Sequence, residues 1–216
     1  MGINSITKRG SDIASAVKRT FGDESGVQVV ESDIMRWVNE AQLEIAMKQR
    51  ILKAVSTGDI VAGTWAYPFP IERAIHIESI QVAGVRIKPA TMTEVEETVL
   101  NEDPTRIQTN RIPVLWYEYA GIINFWPTPA EDLTGGVSIF YVAAPAEITS
   151  LSDMLGLPDR YYQAMLDLVL ARAYEMDENF DAVVLKQQQA DNSLTSFVNE
   201  EQTSQHRTFG TIQVVD

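Results

Sequence analysis

The chain of 216 residues has no cysteine, only two histidines and no run of eighteen apolar residues. Each gap removes a class of chemistry. Without cysteine there are no disulfides, no thiol catalysis and no thiolate-bound metals. His76 and His206 are far apart in the chain, so no paired-imidazole site is expected. His76 alternates with Ile75 and Ile77, as a half-exposed strand residue would. The lack of a long apolar run leaves no expected transmembrane helix and no membrane partner. Residues 1–6 carry no apolar secretory core. There is no phosphate-binding glycine loop, no nucleophile elbow, no HExxH pair and no calcium loop. No catalytic, cofactor-binding or metal-ligating residue is therefore nominated, and no cofactor is expected.

Basic residues are also scarce, 17 against 30 acidic ones, for a net charge of −13. The imbalance is not even. Residues 1–53 hold eight Lys/Arg and seven Asp/Glu, while residues 54–216 hold nine and 23. A surface that acidic repels a nucleic-acid backbone rather than gripping it. The hydrophobic share of 45% is enough to give a globular chain of this length a real core.

What is present reads as helix, then strands, then helix. Ser11-Asp12 followed by Ile13, Ala16 and Val17 predicts a short helix stopped by Gly22. Ser32 or Asp33 is expected to cap a second helix with Ile34, Trp37, Val38, Ala41, Ile45 and Leu52 on one stripe, ended by Thr57-Gly58-Asp59. Trp65–Pro70 holds two prolines, which fits an edge strand. Ala74–Val82 reads as a strand whose phase switches near Glu78-Ser79, the mark of a bulge. Ala83-Gly84 turns it into Val85–Ile87. Thr91 and Glu94 have capping-box spacing for a helix to about Leu100. A polar loop, 101–113, follows.

Val114–Tyr119 and Ile122–Trp126 flank Ala120-Gly121 as a second hairpin. Val137–Val142 is a last strong strand. Pro158 fits the first turn of a helix. Tyr161–Tyr174 has a wide apolar arc, expected of a central helix. Asp177–Asn179 breaks it, and a final helix places Phe180, Val183, Val184, Ala190, Leu194, Phe197 and Val198 on one side. The fold class expected is α+β: an antiparallel helical bundle (1–60 and 150–203) with a β-rich insertion of hairpins or a small sheet (61–149). A docking tail, 204–216, completes it.

The aromatics cluster in the β part, with acidic neighbours rather than the Lys and Arg of a base-stacking sheet. Packing in the core or between subunits is the reading for them, Trp116 and Trp126 included. In the tail, His206, Arg207, Phe209, Ile212, Val214 and Val215 form a β-prone, largely apolar ending. Strand addition to a neighbour, or filling a groove, is expected of it. Acidic pairs such as Glu96-Glu97 and Glu131-Asp132 are read as solvated surface.

Six segments, in order, resemble the head-to-tail adaptor (connector) proteins of tailed bacteriophages. They are Asp33–Ala41, Ile112–Tyr117, Ile123–Pro129, Phe140–Pro145, Leu157–Tyr161 and Ala171–Glu175. The order of the set carries the likeness, not any one motif. The resemblance implies a non-enzymatic virion part at the neck, made in the host cytoplasm. It implies a ring of about twelve copies beneath the portal protein, joined to a tail protein (nozzle, tube or terminator). DNA would pass through its lumen, during ejection too, without sequence readout. The alternatives are another ring-forming, tail-completion or interaction protein, and a small acid/base hydrolase built on scattered carboxylates.

Overall fold

The computed structural model describes residues 5–23, 25–68, 73–101 and 112–208. The chain forms two compact units, residues 1–50 with 145–216, and residues 51–144.

The first unit is helical. Helix α1, Gly10–Phe21, starts where the Asp12 carboxylate accepts the Arg9 N–H at 2.8 Å. It buries Ile13, Ala14 and Val17, and ends at Gly22 in the left-handed conformation. Helix α2, Glu31–Gln49, begins before the expected Ser32 or Asp33 cap, with Val30 at the N-cap. Glu31 and Asp33 in its first turn favour the positive end of the helix dipole. Its buried stripe is Ile34, Trp37, Val38, Ala41, Gln42, Ile45 and Ala46. Arg50, at φ 49°, ends it.

Between α1 and α2 the Asp23 carboxylate clamps the loop. It accepts the N–H groups of Val27, Gln28 and Val29 at 2.8–2.9 Å. A similar clamp fixes the segment before the next helix, where Asp159 accepts the Thr7 N–H at 2.8 Å and its hydroxyl at 2.6 Å. Pro158 precedes a single 3-10 turn, Asp159–Tyr161, rather than opening the helix directly. Helix α4, Tyr162–Met176, follows, and packs against α1, α2 and the final helix. That central place matches its wide apolar arc. Glu178, at φ 56°, turns the chain into α5, Phe180–Thr208.

The second unit overturns the expected bundle with a minor insertion. Its seven strands form one mixed, curled sheet, and that sheet dominates the architecture. The strands are β1 Lys53–Ile60, β2 Ala66–Pro68, β3 Ala74–Val82, β4 Val85–Pro89, β5 Leu115–Tyr119, β6 Ile122–Trp126 and β7 Leu133–Ala143. Their order is β1-β7-β3-β4-β5-β6-β2. Two features make a continuous sheet out of what reads as separate hairpins. The eleven-residue β7 pairs on both flanks, with β1 and β3. A parallel join of β4 to β5, Lys88 beside Leu115, links the two halves.

Residues 53–60, expected as the end of α2, are instead edge strand β1. Val55, Thr57 and Ile60 are β-branched and the burial alternates along it, so the helical stripe ends at Ala46. Both hairpin turns have positive φ at both central residues, Ala83-Gly84 (49° and 78°) and Ala120-Gly121 (51° and 74°). That geometry matches strand twist and favours glycine. The register of β3 on β7 slips between Ile77 and Ser79, where the phase switch predicts a bulge. Helix α3, Met92–Asn101, is opened by a reciprocal Thr91–Glu94 capping box. The expected loop 101–113 lies mostly outside the described residues.

One face of the sheet holds the core. Ile60, Ile77, Ile80, Val82, Ile87, Trp116, Ile123, Phe125, Val137 and Ile139 pack there, with Tyr67 and Leu133 beside them.

Candidate functional site

Among the described residues no group of three or more His, Asp and Glu is placed to hold a metal. His76 is exposed on β3. The carboxylates whose affinity for protons is most changed act as backbone clamps. Asp23 is lowered to about 2, first by the Val29 N–H and further by those of Val27 and Gln28. Asp159 is lowered by the backbone of Thr7, and Asp153 by that of Thr149. Backbone donors favour the charged form, so these groups stay ionised and hold turns.

Three surface features stand out among the described residues. The first is a groove of about 200 Å³ in the helical unit, between α2, α4 and α5. Lys48 bridges Glu44 at 2.9 Å and Asp191 at 3.1 Å across it. The hydrogen bond to Glu44, then that to Asp191, raises the Lys48 pKa. Arg172 lies 3.9 Å from Glu40 and 3.1 Å from Glu175. These charges satisfy one another, which leaves a polar groove rather than an anion site. Nearby, buried Asp167 takes a 2.8 Å ion pair from Lys186 and ties α4 to α5.

The second surface is an apolar strip at the tip of the α4–α5 hairpin. Met176, Val184 and Leu185 are exposed there, and Phe180 is 65% exposed. The sequence stripe of α5 is covered at Ala190 and Leu194 but loses its cover towards Phe180. The sequence sets Phe180 and Val184 on the same side as Ala190 and Leu194, but the structure leaves those two uncovered.

The third surface is the open side of the curled sheet. A cavity of about 250 Å³ lies between its two ends, lined by Gly58, Tyr67, Phe125, Val137 and Ile139 among others. The Tyr67 hydroxyl accepts the Val61 N–H at 2.9 Å, so the ends of the curled sheet meet at that point. Trp65 beside β2 is 50% exposed.

Uncovered apolar side chains thus occur on both units. Its sequence was compared with known families, and the model described as SU10 adaptor protein matches residues 9–214. The chain belongs to the SU10 adaptor protein family. It is a family of phage head-to-tail adaptors, structural proteins of the virion neck. No curated protein matches the chain significantly.

In this adaptor the nominated contact residues are scattered. Trp116 on β5 is only 8% exposed, in the core of the sheet, and its indole N–H has no acceptor among the described residues. Trp126, half-buried at the end of β6, precedes a cis peptide to Pro127. The register sets Trp116 opposite Phe125 and Trp126 opposite Leu115. The two tryptophans therefore point to opposite faces of the sheet. A two-residue turn between their strands implies that register, so the sequence already held the signal. His206 and Arg207 fall within α5, which runs to Thr208. Phe209, Ile212, Val214 and Val215 lie outside the described residues.

Sequence reasoning did not single out Phe180, and it grouped Trp65 with the other aromatics of the β part, read as packing in the core or between subunits. For Trp65 the signal was present: two prolines downstream mark an edge, where a large side chain is left uncovered.

Proposed function

We propose that this adaptor forms a ring of about twelve copies that seats beneath the portal protein and receives a tail protein below, as a neck joint. The single observation that carries the reading is the family match over nearly the whole chain, residues 9–214. Genomic DNA passes through the ring without sequence readout. The net charge of −13 supports passage over grip, since a basic lining would hold phosphate.

In a cyclic ring every contact is heterologous: one patch of each subunit meets a different patch of the next. The surfaces described above supply such patches. The apolar strip at Phe180 and Val184 and the open side of the sheet are of different shape and sit on different units. Residues 204–216 serve as a docking arm towards the portal or a neighbouring subunit. The work of the protein is then interface energy and geometry.

Electron cryo-microscopy of intact particles tests the reading. The expected result is a ring of this chain between portal and tail. Finding the chain elsewhere in the particle, or absent from it, would overturn the proposal. Monomer in purified solution would not, because a portal can act as the template for ring closure.

A further inference from the structure

The inner face of the curled sheet is filled unevenly. Across the sheet, Val137 and Ile139 of β7 face Val82 and Ile80 of β3 on one flank. On the other flank they face Gly58 and Ser56 of β1. Directly paired residues share a face. So where the neighbouring strands bring branched side chains to the core, the edge strand brings a hydrogen and a hydroxymethyl group. Gly58 lines the cavity of about 250 Å³, and a Cβ built there would meet nothing within 4 Å. At interior packing density that space holds about two branched aliphatic side chains.

The same strand has a free backbone edge. Among the described residues β1 pairs with β7 alone. The opposite edge, β2, is three residues long and ends in Pro68, which has no N–H to donate. An added strand therefore fits along β1.

We propose that residues 209–216 of a second copy of this chain add as a strand along β1 and seat Ile212 and Val214 in the cavity. Three observations select this occupant. Ile212 and Val214 stand two apart, so they share one face of a strand. Set antiparallel with Ile212 beside Gly58, the register brings Val214 to Ser56, Gln213 to Thr57 and Val215 to Val55. That last match covers a valine that is exposed. Asp216 is the segment's only charge, so little is desolvated. From Phe197, which packs on Tyr161 at 5.2 Å, to Thr208 is about 16 Å of helix.

The inference rests on the ring reading, because it needs a second copy. Its test is made on assembled particles, where the ring has already closed, so it can fail while the chain still occupies the neck of the particle. A chain without cysteine allows a clean trap. Thr57→Cys with Gln213→Cys is oxidised, and the products are separated without reductant. Linked dimers or a ladder of multimers are the expected result. An intrachain link, or none, would overturn the proposal. Adding Gly58→Leu fills the cavity in advance, and should cut cross-linking by about tenfold or more. Undiminished linking would count against the seat. Circular dichroism checks that this variant folds. Ile212→Asp with Val214→Asp, which leaves the sheet untouched, should abolish linking as well, and linking that survives it would refute the role of those side chains.

Discussion

Replacing Gln42 by Leu should destabilise the helical unit by about 2 kcal/mol, although the two side chains are close in size. Gln42 lies on the buried stripe of α2 and is fully buried. Its Oε1 accepts the N–H of Gly156, and its Nε2 donates to Asn39 Oδ1 at 3.3 Å. Asn39 in turn accepts the Ile148 N–H at 2.9 Å and donates to the Ile148 carbonyl at 3.0 Å. These two amides fasten the returning segment, 145–157, onto α2. Leucine would leave the part-buried Gly156 N–H without its acceptor, a loss of about 1–3 kcal/mol. The longer bond to Asn39 adds about 0.5 kcal/mol, and the lower desolvation cost of leucine offsets part of the total.

At this chain length 2 kcal/mol corresponds to about 4–8 °C in Tm. Urea unfolding followed at 222 nm reads it directly, as a lower midpoint with unchanged slope. A double-mutant cycle with Asn39→Ala should show strong coupling, since both side chains hold one segment. If Gln42→Leu matched the wild type within 0.5 kcal/mol, the fastening described here would be wrong.

Asp23 predicts an acid dependence. Its folded pKa of about 2 lies below the ordinary 3.8, so its contribution is complete above about pH 4 and is lost as pH falls towards 2. Asp23→Asn should therefore be less stable than wild type at pH 5 and converge with it near pH 2, by urea midpoints; a constant gap would refute the clamp. At the hairpin turns Ala83 and Ala120 hold positive φ, so Ala120→Asn should raise stability by about 0.5–1 kcal/mol, read as Tm. Phe180→Asp with Val184→Asp should leave the unfolding midpoint within about 0.5 kcal/mol of wild type, because both residues are exposed. The same pair should reduce incorporation into particles if the strip is a contact.

Local signals in the sequence located most of the elements. Gly22, the Ala-Gly turns, the Thr91–Glu94 box and the phase switch before Ser79 each act over a few residues, and each is found where it was expected. The failures are of longer range. Nothing within residues 53–60 shows that β7 will pair with them, and Leu52 follows closely enough on the α2 stripe to pass for its next turn. The parallel join of β4 to β5 brings together segments separated by α3 and a loop, so isolated hairpins and a continuous sheet look alike in sequence. Exposure at Phe180 depends on where the neighbouring helices stop, which periodicity does not report. Of the candidate contact surfaces, the apolar ending was legible as a pattern. The cavity was not, because it opens beside a small residue, Gly58, on a strand whose neighbours only the fold supplies.

The chain leaves the helical unit after Arg50 and comes back at Pro145, and the strands at those two points are partners. Lys53 pairs with Val142, and the Ala143 N–H donates to the Leu52 carbonyl at 2.8 Å. The two crossings thus leave the sheet about 5 Å apart. A stretch whose ends are already held side by side can be exchanged as a cassette, because its removal leaves a gap that a short glycine–serine bridge closes. A chain with residues 53–142 so replaced should keep the helical signal at 222 nm, and loss of that signal would show that the helices depend on the sheet. If they do not, one sheet can be exchanged for another while the helices stay the same.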